Sequence, residues 1–499
     1  MISKLLPSAP ALSASDARPT QTLNPVYAAA AIVIGLALFR LWYSTRIDLV
    51  PDEAYYWVWS KHLAASYRDK GPAIAWVIAL GNWLFGDNVF GVRFFAVVFS
   101  AGTSWQLFTL ARRLAGGRTA LWCLVLANII PMFAIGSLLM TIDILSLFFW
   151  AWGMNVFWTA LHSRKLWHWA GLGLIVGLGF LAKFTNGLQL VCIVAVLFWS
   201  KPQRALWFSR QTIVMGMAFC LAILPVVWWN FQTGWIHAGA LHSRSGVASS
   251  FHLRPLELLR FIGGQIGVLS PLIGVGMIAA VVGTLRNQHR ELEARFLLSH
   301  FLPVYAVFGF FSLNSAGKEN WAAPALLAGI VILTRFWQSQ VDRNPRWRRW
   351  VGAALGLSCV MTLVLHNTDY LHLPTKLEPL RRAQGWGDFT AHVQRARAQH
   401  QPTLLIGNHY SQASMMQFYL PGHPTTYLPE QPYGQNQFTL WPTYQAKDHQ
   451  RALYVTNKTD PLPEVLLRDF PTCEVVDDFW SMHQGRPMAH FIIYLCHRD

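Results

Sequence analysis

The sequence predicts a polytopic α-helical membrane protein with a C-terminal extracytoplasmic α/β domain. Three observations predict it. Of 499 residues, 53% are hydrophobic and only 13% charged, too apolar a balance for a soluble globule of this size. Apolar runs of membrane-crossing length recur along the first three quarters of the chain. After about Asn367 they stop, and short β-rich runs replace them.

The opening segment, up to residue 25, is polar and rich in Pro and Ser, and the first apolar run begins only near Val26. A secretory core is therefore in the wrong place, no cleaved leader is expected, and residues 1–25 read as a cytoplasmic tail ahead of an anchoring span. Long apolar runs follow near 26–44, 90–110, 119–137, 141–160, 168–182, 185–199, 212–229, 261–284, 297–312, 321–337 and 350–366. These make about eleven spans of roughly 15 to 24 residues, the length a hydrocarbon core of about 30 Å demands. The domain 26–366 contains them. Its first outer loop, 45–89, includes "PAIAWVIALGNWLFG", a shorter run expected to lie at the interface with its Trp residues at headgroup level.

Every second connection is rich in Arg or Lys: "ARRLAGGR", "LHSRKLWH", "SKPQRALWFSR", "LRNQHRELEAR" and "TRFWQSQVDRNPRWRRW". By the positive-inside rule these face the cytoplasm, with Lys4 and Arg18 of the tail. The formal net charge of +16 is then largely topological, and no nucleic-acid partner is expected. An odd number of spans places 367–499 outside. There "TLLIG", "TTYL", "ALYVT", "CEVVDDF" and "FIIYLC" read as strands and "YSQASMMQFYL" as a helix, a small α/β domain. Cys123, Cys192, Cys220 and Cys359 lie in apolar spans as small hydrophobes. Cys473 and Cys496 fall in two candidate strands of the exported domain, where a disulfide is open.

With this orientation the unusual polar residues gather on one face. Asp52 and Glu53 stand next to each other just after the first span, in "LVPDEAYYWVWSKH"; an acid pair there is either a functional site or a helix N-cap, and the sequence leaves both open. Asp69 and Lys70 share that loop. Asp143, in "LLMTIDILSLFF", is the lone acid of a long apolar stretch and needs a partner. Lys183 ends the fifth span with no acid adjacent in sequence, His237, His242 and Arg244 follow the seventh, and Lys318 and Glu319 cap the tenth. Singly, each lysine can be a snorkelling side chain. Together the acids, lysines, histidines and arginine suit an anionic, partly lipidic substrate, with cations on phosphate and a carboxylate as base.

The acid pair after the first span, the "DKGP" turn, the "TID" Asp, "GLGFLAKFTNGL" and "GKENWAAPA" together resemble the dolichyl-phosphate-mannose protein mannosyltransferase superfamily. The resemblance is to its bacterial lipid A aminoarabinose and rhizobial lipid A sugar transferases, and it covers roughly 26–337. It implies a GT-C fold and an inverting glycosyltransferase. Such an enzyme takes a pentosyl or hexosyl group from a polyprenyl-phosphate donor to a lipid (lipid A or lipopolysaccharide), glycan or protein acceptor, outside a bacterial inner membrane. The resemblance implies Asp52, Glu53 and Asp143 as catalytic residues and Lys70, Lys183, Arg244 and Lys318 on the donor phosphate. Asp69, His242 and Glu319 would line the cavity. Gly71 departs from the family, where many relatives have the first of two prolines. No cofactor is certain; a divalent metal, Mg²⁺ or Mn²⁺, held by Asp52 and Asp143, stays open. The rivals are a polytopic transporter, which would show an internal repeat with broken helices that is not evident, and an oligosaccharide ligase or polymerase, whose large polar insertion usually sits between late spans.

Overall fold

The architecture comes from a computed structural model, which describes residues 24–236, 252–315, 317–429, 436–444 and 451–498. Helix α1 (Pro25–Ser44) starts on a cap from the Asn24 side chain and a proline in its first turn. Two short helices follow, α2 (Pro51–Ser60) and α3 (Ala73–Phe85). The next two apolar runs form one element, α4 (Val89–Ile129), folded back at Gly116, whose φ of 84° suits glycine. Beside that bend, a Cβ on Gly117 would come 2.9 Å from the Pro25 ring, so the start of α1 and the Arg112–Arg118 turn share one face of the molecule.

After the single-turn helix α5 (Pro131–Gly136) come α6 (Ile142–Ser163), α7 (Leu166–Ala182), α8 (Leu188–Trp199) and α9 (Arg210–Gln232). The run expected as one span at 261–284 is instead two helices, α10 (Pro255–Leu269) and α11 (Pro271–Asn287), bent by 111° at Ser270. Pro271 explains the break, because the residue before a proline avoids helical geometry and Ser270 takes φ 79°. Helices α12 (Leu292–Ser312), α13 (Ala323–Arg343) and α14 (Trp347–His366) complete the membrane part. Among the described residues seven helices are long and apolar enough to cross a membrane, or eight with the bent pair as one span, while α7 and α8 are shorter apolar helices. The protein is a multi-pass membrane protein.

Beyond α14, helix α15 (Trp386–His400) leads into a five-stranded sheet of order β2-β1-β3-β5-β4, made by β1 (Leu404–Gly407), β2 (Thr426–Tyr427), β3 (Arg451–Asn457), β4 (Thr472–His483) and β5 (Arg486–His497). Strand β1 runs parallel to both neighbours, with helix α16 (Tyr410–Tyr419) as the crossover, while β5 is antiparallel to β3 and β4. Cys473 and Cys496 face each other in the β4–β5 register and form a disulfide, which resolves the pairing left open by sequence.

The two parts share a core. Leu49, Tyr55, Trp57, Trp59 and Ile74, between α1 and α4, pack in one cluster with Ala413, Met415 and Phe418 of α16 and with Phe438. The rings of "EAYYWVW" are roofed by the α/β domain. Tyr55, Tyr56, Trp57 and Trp59 are all buried, because α16 lies across them. Helix α3 does present an apolar outer face, with Trp83 exposed and Ile74, Ala75 and Ile78 inward.

Candidate active site

A cavity of about 690 Å³ lies where the membrane helices meet the α/β domain. Its walls come from the end of α1 and the following loop, from α4, from the turn ahead of α6, from the start of α13 and from residues 366–384 and 483–484. Asp52 and Asp143, about ninety positions apart in sequence, both line it.

The acid pair at the start of α2 divides into two roles. Glu53 is fully buried and accepts four hydrogen bonds. Arg93 Nε (2.8 Å) and the Met140 N–H (2.7 Å) reach Oε1, while Arg93 Nη2 (2.5 Å) and the Val50 N–H (3.0 Å) reach Oε2. Arg93 also donates to the carbonyls of Ser44, Ile47 and Asp48, so this pair ties the end of α1, the loop and the start of α2 together. Glu53, expected from the sequence beside Asp52 as a catalytic residue, caps α2 through Val50 and is not among the residues lining the cavity. Asp52 does not cap. Its Oδ1 accepts from the Tyr410 hydroxyl (3.0 Å) and its Oδ2 from Arg382 (3.1 Å), both from beyond the last span, and it remains partly exposed to the cavity. Burial first, then the Asp52 charge, push the Tyr410 phenol well up, which keeps its proton on the donor side of this bond.

Asp143, in the first turn of α6, finds the partner its position demands. Lys183 Nζ donates to Oδ1 at 2.7 Å and Asn320 Nδ2 to Oδ2 at 2.8 Å. Lys183, without an acid near it in sequence, thus has one in space, and its ammonium is buried against α6 rather than reaching outward. Asn320 was missed by sequence reasoning; the signal was its place in "GKENW", one residue past the two charges singled out. Those two, Lys318 and Glu319, are exposed. Asp69 and Lys70 are half-buried in the turn ahead of α3. That turn is pressed against the end of α7, where a Cβ on Gly71 would sit 1.9 Å from the Leu181 carbonyl oxygen. Gly71 therefore permits a backbone contact that brings this turn close to Lys183. His237, His242 and Arg244 lie outside the described residues.

Other cavity residues escaped notice. Arg40 is buried inside α1, donating to Ser100 Oγ (2.9 Å) and Asn128 Oδ1 (2.8 Å); an arginine within an apolar run was the available signal. Asp48 lines the loop, and burial raises its carboxyl pKa above the usual range against the opposing pull of the Gly387 N–H, His483 and Arg93. Among the described residues no three His, Cys, Asp or Glu side chains converge as a metal site. The carboxylates of Asp52 and Asp143, left open by the sequence as metal ligands, face Arg382 and Lys183.

Comparison with known proteins fits this geometry. Residues 69–229 match the family described as dolichyl-phosphate-mannose-protein mannosyltransferase. The structure superposes on ArnT from Cupriavidus metallidurans bound to undecaprenyl phosphate with a TM-score of 0.62 at 17% identity, covering 94% of this chain and 97% of that one. The chain has the GT-C glycosyltransferase fold. An oligosaccharyltransferase of Archaeoglobus fulgidus shares it more distantly, with a TM-score of 0.54 at 12% identity over 90% of this chain and 68% of that one. Among curated proteins, the chain is 28% identical to the lipid A galacturonosyltransferase RgtD of Rhizobium johnstonii, over 60% of this chain and 63% of that protein. It is also 28% identical to an undecaprenyl phosphate-alpha-4-amino-4-deoxy-L-arabinose arabinosyl transferase of Pseudomonas aeruginosa, over 59% and 57%. The matched regions thus span somewhat under two thirds of these relatives' own length.

Proposed function

We propose that the protein is an inverting glycosyltransferase that moves a sugar from a polyprenyl-phosphate donor to a lipid acceptor of the lipid A class, at the extracytoplasmic face of a bacterial inner membrane. The observation that carries this reading is the placement of Asp52 and Asp143 in one cavity at the junction of spans and α/β domain, where a membrane-anchored donor and an exported headgroup can meet. Relatives named for transfer to lipid A and for an undecaprenyl-phosphate-linked donor support it.

In this mechanism Asp52 receives the proton of the acceptor hydroxyl as that oxygen attacks the anomeric carbon, and the C–O bond to the polyprenyl phosphate breaks on the opposite face. Arg382 and Tyr410 aim the carboxylate. Lys70, Lys183 and Lys318, which stand outside the cavity lining, are assigned to balance the charge of the departing phosphate, while Asp143 holds Asn320 in the wall and Lys183 behind it. If the acceptor oxygen belongs to a phosphate, it is already anionic and Asp52 orients it instead. Relatives are named for both galacturonosyl and arabinosyl transfer, and the same fold in an oligosaccharyltransferase shows that fold alone does not fix the acceptor.

The test is lipid mass spectrometry on a strain lacking the protein. The reading expects an unused polyprenyl-phosphate sugar to accumulate and the corresponding sugar to vanish from lipid A. Unchanged lipid A and carrier pools in the deletion strain would overturn it.

A further inference from the structure

Among the described residues three arginine or lysine side chains are buried: Arg40, Arg93 and Lys183. Two of them face a carboxylate, Arg93 that of Glu53 and Lys183 that of Asp143. Arg40 faces only the neutral Ser100 hydroxyl and Asn128 amide oxygen. A guanidinium placed in an apolar helix without a counter-ion is costly unless something anionic completes it. Arg40 sits four residues before the end of α1, about 6 Å along the axis from the helix terminus, and it lines the cavity together with Ser100 and Asn128.

The cavity's own acids are committed elsewhere. Asp52 meets Arg382, Asp143 meets Lys183 and Asp369 meets Arg486, while burial holds Asp48 toward its neutral form. The two protein bonds occupy two of the five N–H groups of the guanidinium. Asn128 is fixed in the orientation this needs, since its Nδ2 donates to the Leu124 carbonyl at 2.8 Å and to Ser104 at 3.2 Å, turning its oxygen toward Arg40.

We propose that Arg40, held by Ser100 and Asn128, is an oxyanion subsite at the membrane-side wall of the cavity, and that it takes a phosphate carried by a lipid substrate. This rests on the glycosyltransferase reading for the identity of the lipids, which supplies two sources of that phosphate, the polyprenyl donor and the lipid A acceptor. Guanidinium is suited to the task because it stays charged in an apolar setting and binds phosphate oxygens through paired N–H groups.

The test reads binding, not turnover, so it fails or succeeds independently of sugar transfer. The full chain in nanodiscs is titrated by native mass spectrometry with undecaprenyl phosphate, with lipid A, and with undecaprenol and dephosphorylated lipid A as phosphate-free counterparts. Arg40→Gln removes the cation. Asn128→Asp keeps it but supplies an internal carboxylate, so this variant should melt at or above the wild-type temperature. Both should weaken binding of at least one phosphorylated lipid by on the order of tenfold to a hundredfold and leave the phosphate-free lipids unaffected, while Arg40→Lys, which keeps the charge but loses the paired N–H groups, should fall between wild type and Arg40→Gln. The arm that weakens identifies the donor or the acceptor as the source. Wild-type affinity for both phosphorylated lipids in Asn128→Asp, or an equal loss for the phosphate-free lipids, would overturn the proposal.

Discussion

Replacing Glu53 by Gln exchanges one oxygen for an NH₂ group and should nevertheless destabilise the junction of α1, α2 and α4. Each carboxylate oxygen accepts two hydrogen bonds, from Arg93 Nε and the Met140 N–H on one side and from Arg93 Nη2 and the Val50 N–H on the other. Whichever way the Gln amide turns, its NH₂ points at two donors, and the Arg93 guanidinium is left buried without a counter-ion. Breaking a buried pair by removing one partner costs about 3–5 kcal/mol, a large part of the roughly 5–15 kcal/mol that ordinarily separates folded from unfolded protein. Size-exclusion profiles after heating in detergent should show a clearly lower midpoint and a reduced folded yield. Removing both charges, in Glu53→Gln with Arg93→Met, should cost less than the sum of the two single changes, because the orphaned charge is gone. A Glu53→Gln protein with wild-type yield and melting midpoint would refute the reasoning.

Lys183→Met should lower both melting temperature and transfer, since it strands the Asp143 carboxylate, whereas Asp143→Asn with Lys183→Met should restore much of the stability but not the activity; wild-type stability in Lys183→Met alone would contradict the pairing. Lys318→Met, at an exposed position, should leave the melting midpoint unchanged and raise the donor concentration needed for half-maximal transfer; an unaltered donor dependence would make it a solvent-facing lysine. Reduction, or Cys473→Ser, removes a cross-link spanning 23 residues. By loop-closure arguments this should cost about 3 kcal/mol, read as a lower midpoint that reductant no longer affects in the variant.

What the sequence made legible was local. Apolar run length located the helices, and apolar β-rich runs located all five strands, although β4 and β5 extend four and five residues past them into their shared hairpin, because burial and propensity act over neighbouring positions. The isolation of Asp143 also announced a partner, but which partner was not readable. Lys183 lies 40 positions away and Asn320 lies 177, and the pairing depends on how α6, α7 and α13 are brought together. The division of labour between Asp52 and Glu53 was hidden for the same reason, since Arg93 is 40 positions from Glu53 and Tyr410 is 358 from Asp52. The bend at Ser270 had a readable signal in Pro271, overridden by the continuity of the apolar run around it. Arg40 was likewise absorbed into an apolar span, although one charge in such a run is the feature most worth following.

The central claim, that Asp52 is at the cavity for chemistry and not to begin a helix, is tested most directly by Asp52→Asn. The structure assigns the capping of α2 to Glu53, so this change should leave folding intact while removing the charge that faces Tyr410 and Arg382. Purified variant and parent, at equal membrane yield and melting midpoint, are compared for sugar transfer from a polyprenyl-phosphate donor to lipid A. The account predicts a loss on the order of 10² to 10⁴ if a hydroxyl acceptor needs a base, and a smaller but measurable loss if the acceptor is a phosphate. Transfer by Asp52→Asn at the parent's rate would contradict it.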